Sequence, residues 1–148
     1  MRRATPRAAR RPAILDRFRP RSDTQFLQRV IAATLRVHRK AIPVVLLLTG
    51  EREIARIHAR HLADPRGTDV ISFAIDGTAE LVVSVERARR EAKRRGHPIK
   101  HELALYVVHG LLHVFGYDDT STVARARMRA AELRVLLALG IEIASVDS

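Results

Sequence analysis

The stretch His109-Gly-Leu-Leu-His113-Val-Phe-Gly116-Tyr-Asp118-Asp119 decides the reading of this chain. On a helix, residues four apart stack on one face one turn apart, so the imidazoles of His109 and His113 can reach a single metal ion. Gly116 stops the helix, and the turn through Tyr117 and Asp118 can bring the Asp119 carboxylate round as a third ligand. Asp118 is the competing carboxylate. Three protein ligands leave a fourth tetrahedral position for water, the layout of a catalytic metal site rather than a closed structural one.

The bland alternative is a pair of hydrogen-bonded core histidines, and the Gly and Asp that follow tip the balance toward metal. A second pair, His97 and His101, contains Pro98, which belongs to a first helical turn, so His97 precedes the helix and the two rings need not share a face. His101 and His109 would lie roughly 12 Å apart along the axis, too far to share an ion. Zinc peptidases carry Glu, the general base, directly after the first His, whereas this chain has Gly110. A peptidase mechanism is therefore unsupported. Gly110 either leaves open backbone beside the metal for a bulky substrate or permits a close helix crossing, and the sequence does not separate the two.

At 148 residues and 47% hydrophobic, the chain is long enough for one core. We expect a single domain over residues 23–148 behind a tail, residues 1–22. The absence of cysteine excludes disulfides and thiolate metal sites and allows a reducing compartment. No apolar run approaches the 18 or so residues that span a bilayer, so no membrane partner is expected. The formal net charge is +11, and 24 of the 27 basic residues are Arg. Planar guanidinium groups bind phosphate two-pronged, which favours nucleic acid as partner, although codon bias alone could produce the same composition.

Residues 1–22 hold eight Arg, three Pro and one acid, without helical or strand periodicity. They read as a disordered basic tail, either a phosphate-binding arm or a solvated extension, and are also compatible with an organellar transit peptide. Asp23 caps a helix to about Lys40 with Phe26, Leu27, Val30, Ala33, Thr34 and Val37 on one stripe. Val44 to Leu48 reads as a buried strand, and Glu51 to Leu62 as an amphipathic helix. Thr68 to Ile75 and Glu80 to Val85 flank Asp76-Gly77 and read as a hairpin. Glu86 to Arg95 is a charged helix, and the helix that follows Pro98 is apolar nearly all round, as a buried central helix should be. Thr120 or Ser121 caps a last helix to about Leu139 whose inner stripe is Val123, Ala126, Ala130, Leu133 and Leu137, with Arg125 and Arg129 outside it.

The chain resembles the YbeY family of metal-dependent endoribonucleases. The family signature His-Gly-x-Leu-His-Leu-x-Gly-Tyr-Asp-His is similar to residues 109–119 except at Val114 and at the last position. Thr68 to Phe73 resembles the family's Thr-Asp-Val-Leu-Ser-Phe strand, Ala79 to Ser84 its Gly-Asp-Ile-Val-Ile-Ser strand, and Met128, Glu132 and Gly140 its trailing Met-x-x-x-Glu and Gly. The resemblance spans roughly residues 43–140. Where the family has a third His ligand this chain has Asp119, and the family's Arg six residues before Thr-Asp-Val falls on Leu62, with His58 and His61 at the neighbouring positions. Arg60 and Arg66 are the candidates to stand in for that Arg.

The resemblance implies an α+β fold with a small mixed β-sheet, helices, and a zincin-like arrangement around a buried metal-bearing central helix. It also implies a zinc-dependent hydrolase that cuts single-stranded RNA in rRNA maturation and ribosome quality control, in the cytoplasm. One Zn2+ per chain would be held by His109, His113 and Asp119, and the partners would be rRNA and ribosomal particles. Arg60, Arg66, Arg90 and Arg94 are the candidate RNA contacts, and no general base is assigned. The rivals are a non-catalytic RNA-binding ribosome-assembly factor on the same scaffold, and a peptide hydrolase.

Overall fold

The computed structural model describes residues 11–62 and 70–143. Two strands, β3 (Val70–Ile75) and β4 (Thr78–Ser84), form the expected hairpin with Ile75 opposite Thr78. Asp76 and Gly77 both have positive φ, 49° and 76°, as a two-residue hairpin turn requires. β2 (Val44–Thr49) runs parallel to β4. A further strand, β1 (Ala13–Asp16), lies parallel to β2 and gives the sheet order β1-β2-β4-β3.

β1 corrects the expectation of a disordered tail over residues 1–22. Residues 11–22 are ordered against the sheet, with the Asp16 carboxylate accepting from the backbone N–H groups of Phe18 and Ser22. Residues 1–10 lie outside the described residues. Four strand residues set among Arg and Pro are too few to show a period, and what orders them is the open edge of β2.

Alternation along the strands gives the sheet two different faces. Val44, Leu46, Leu48, Leu81 and Val83 join the main core, while Ile71 and Val82 face α2 (Glu51–Leu62), packing on Ile54. The main core is built by α1 (Thr24–Val37), α3 (Val85–Arg95), α4 (Ile99–Val114) and α5 (Thr122–Ala138) on one side of the sheet. Asp23 caps α1 by accepting from the Phe26 N–H, and Ser84 caps α3 by accepting from Arg87. α4 is the central helix. Ten of its residues are buried, among them Glu102, whose carboxylate meets His97 at 2.6 Å and Arg95 at 3.3 Å. The fold is α+β with a small mixed sheet, as expected.

Two further readings change. α5 does not bury Val123, Leu133 and Leu137, which are 64%, 46% and 80% exposed; its inner face is Met128, Ala131, Glu132, Val135 and Leu136. Gly110 is a packing residue, because a Cβ there would come to 3.0 Å from both Leu81 Cδ2 and Val70 Cγ2. The close crossing of α4 over β3 and β4 accounts for it, and open backbone for substrate does not.

Candidate metal centre

α4 carries His109 and His113 one turn apart, with their Nε2 atoms 3.0 Å from each other. The helix ends at Phe115, and Gly116 takes φ 104°, a conformation that side chains resist, so the chain reverses there. The following turn separates the two aspartates. Asp118 turns its carboxylate onto the N–H and hydroxyl of Thr120, at 3.2 and 3.1 Å. Asp119 is thereby directed at the imidazoles, with Oδ2 3.8 Å from His109 Nε2 and 3.7 Å from His113 Nε2.

These three atoms form a triangle with edges of 3.0, 3.7 and 3.8 Å. A tetrahedral zinc bound at about 2.0–2.2 Å sets its ligand atoms roughly 3.3–3.6 Å apart. The triangle needs adjustments of a few tenths of an ångström to accept the ion, and two imidazoles with a carboxylate are a donor set that zinc accepts. His109, His113 and Asp119 could therefore hold a metal. All three are partly solvent-accessible, which leaves room for a fourth, exchangeable position.

Behind the triangle, the buried Glu132 of α5 reaches His109 Nδ1 at 3.3 Å. With Nε2 turned to a metal, Nδ1–H donates to this carboxylate, which fixes both tautomer and ring orientation. Arg125, Met128, Arg129 and Glu132 follow one another at i, i+3, i+4 and i+7 and so share the helix face that lines a cleft of about 420 Å³ over His109 and Asp119. The opposite wall is α3, with Arg87, Glu91, Arg94 and Arg95. Five guanidinium groups face three carboxylates in this cleft. A second groove, between His58, His113 and the edge strand β3, opens on the other side of the histidines.

The four arginines expected to contact RNA are scattered. Arg94 lines the cleft but is tied to Glu91, whose carboxyl it holds below the usual range. Arg90 is hydrogen-bonded to Glu51 and likewise lowers that carboxyl. Arg60 is exposed on α2 and is not among the residues lining either cleft, and Arg66 lies outside the described residues. In the sequence Arg87 has no mark of its own, Arg125 and Arg129 stand out only as lying outside the inner stripe of the last helix, and Glu132 appears only inside a motif. The i, i+3, i+4, i+7 spacing on α5 was the signal that could have grouped the α5 residues.

The Endoribonuclease YbeY family profile matches residues 16–140. The chain belongs to the YbeY endoribonuclease family. An Endoribonuclease YbeY of Solibacter usitatus is 33% identical over 98% of this chain and 90% of its own length. Those of Heliobacterium modesticaldum and Roseiflexus castenholzii are each 34% identical, over 67% and 80% of this chain and 70% and 85% of theirs. The fold is similar to that of a Thermotoga maritima protein solved in solution, with a TM-score of 0.59 at 20% identity, covering 86% of this chain and 91% of that one. The YbeY match runs from the last residue of β1 past the end of α5, so every donor and every cleft arginine described above falls within it.

Proposed function

We propose that this member of the family is a zinc-dependent endoribonuclease that cuts single-stranded RNA, acting on ribosomal RNA and ribosomal particles in the cytoplasm. The observation that carries the reading is the juxtaposition of the His109, His113 and Asp119 donor triangle with a cleft walled by arginines. When bound, zinc would polarise a phosphoryl oxygen and make water a stronger nucleophile at neutral pH. The protein's own part is to hold the donors and the backbone. Glu132 keeps the His109 ring in one tautomer, the Asp118–Thr120 turn presents Asp119, and the arginines bind phosphate oxygens in an orientation set by two rigid helices. A carboxylate in place of a third imidazole leaves less positive charge on the site, which weakens the acidification of water. Gly110, packed against Leu81 and Val70, leaves no carboxylate in the place where a zinc peptidase has its base.

The test is cleavage of a labelled single-stranded RNA by the purified full chain. Cleavage is expected to vanish in chelator, return with added zinc, and be absent in His113→Ala. Metal content should be about one zinc per chain and should be lost in Asp119→Ala. RNA that is bound but never cut, whichever metal is supplied, would replace this reading with a non-catalytic ribosome-assembly factor.

A further inference from the structure

Not every arginine of the cleft is available to a ligand. Arg94 is bonded to Glu91 at 2.6 Å, and Arg95, only 18% exposed at its side chain, lies between Glu91 and the buried Glu102. Their charges are largely answered within the protein. Arg87 and Arg129 make no ion pair or hydrogen bond from their guanidinium groups among the described residues, although both line the cleft. Arg125 uses two of its N–H groups on neutral oxygens, at 3.3 Å to the Asp119 carbonyl and 3.4 Å to the Thr122 hydroxyl. It makes no ion pair among the described residues, and the first of these bonds ties it to the residue that bears the third donor.

Burial orders the α5 face from floor to rim. Glu132 and Met128 are buried, Arg129 is half-buried and Arg125 is exposed beside Asp119. The two arginines are four residues apart, so their side chains stack along one line leading to the donor triangle. Arg87 stands on the facing wall, half-buried on α3. Arg87 feels the carboxylates of Glu51 and Glu91 only through space, so among the described residues the guanidinium groups of both walls keep N–H groups that an entering anion can take up.

We propose that Arg125 and Arg129 on α5, with Arg87 on α3, form a phosphate clamp that holds the RNA backbone next to the scissile bond. The inference rests on RNA being the substrate, as in the reading above, and adds which side chains grip it. Arg90 and Arg94, both committed to carboxylates, are left a secondary share. Phosphate enters as a two-pronged acceptor, exchanging solvent and condensed counterions for charge-assisted hydrogen bonds. No base edge is read by these contacts, so the clamp tolerates any sequence.

The test separates binding from cleavage by working in chelator, which removes the metal that the proposed attack by water needs, on a 2′-O-methyl single-stranded RNA, in which attack by the 2′-hydroxyl is blocked as well. Fluorescence anisotropy at several salt concentrations compares wild type with Arg87→Gln/Arg129→Gln and with Arg127→Gln/Arg134→Gln. The second pair removes the same charge from α5 outside the cleft. Losing two phosphate contacts should lower the salt slope by about 1.4 and weaken binding roughly tenfold or more, whereas the outer pair should change either quantity much less. Equal effects of the two pairs would overturn the clamp in favour of a general positive field, and so would a wild type that does not bind the RNA at all. Thermal melts confirm that both pairs remain folded. If the clamp pair loses binding while wild type never cuts natural RNA, the clamp stands and the nuclease reading falls. If wild type cuts but the clamp pair binds normally, the reverse holds.

Discussion

Glu132 and Gly110 show how much single positions settle beside this site. Glu132 is 8% exposed and its carboxylate meets a ring nitrogen of His109 at 3.3 Å, so it is held where it orders an imidazole. Replacing it with Gln keeps the shape and removes the charge. Metal affinity of Glu132→Gln, measured by competition with a chromophoric chelator, should fall about 10–100-fold, the usual loss when a ligand's supporting carboxylate is removed. An unchanged affinity would mean that Glu132 serves α5 packing alone. Gly110 poses a balance of two effects. Ala would favour the helix by about 1 kcal/mol, while forcing a methyl group against a core contact costs about 1–3 kcal/mol. Leu81 is 1% exposed and cannot retreat, so overpacking wins. Urea unfolding of Gly110→Ala should show a net loss of about 1 kcal/mol, and a gain in stability would show that the helix and sheet can part at no cost.

At the level of elements, α5 separates what the chain discloses from what it does not. Val123, Ala126, Ala130, Leu133 and Leu137 make a regular apolar stripe, yet all five are exposed. The buried stripe of Met128, Ala131, Val135 and Leu136 is equally apolar but carries Glu132 among its members, which hid it. Periodicity shows that a helix is amphipathic; it cannot choose between two stripes when one is interrupted by a residue serving a site. The adjacent leucines test the assignment. Leu136→Ala, at a position 1% exposed, should cost about 2–5 kcal/mol, while Leu137→Ala, 80% exposed, should stay within about 0.5 kcal/mol. Reversed effects in thermal or urea unfolding would restore the stripe read from the sequence. Apart from β1, whose four residues show no period, the other elements were legible because their patterns had no competitor: the Asp76-Gly77 turn fixes the hairpin, and α2 begins and ends where its spacing places it. The pairing of His109 with His113 was legible for the same reason. Asp119 was preferred to Asp118 through the resemblance, while the turn hydrogen bond from Thr120 that separates the two carboxylates and the facing of α3 by α5 leave no period in the chain.

For the molecule as a whole, a formal charge of +11 sets how stability responds to pH. His38 and His101 lie in different parts of the fold, and both titrate below the ordinary histidine value. Burial is the main cause for each, followed by the charges of Arg134 and Lys40 at His38 and of Lys100 and His97 at His101. Each ring keeps a buried nitrogen without a hydrogen-bond partner among the described residues, His38 Nε2 and His101 Nδ1, so burial is not offset there. A folded pKa below the unfolded one means that the unfolded chain takes up protons first as pH falls. The stability these rings contribute is complete above the unfolded value of about 6.5 and is lost as pH drops from there through the lowered folded values. Salt would relieve the coulombic part and leave the burial part. The metal-free protein should therefore melt at progressively lower temperature between pH 7.5 and pH 5.5. His38→Phe/His101→Phe, with Phe115 and Tyr117 beside the first ring and Phe26 beside the second, should show a shallower decline over the same range. His109 and His113 are present in both chains, so the difference between the two melting profiles isolates the substituted rings. Parallel profiles would assign the acid sensitivity to other groups and to the net positive charge itself, which rises as carboxylates protonate.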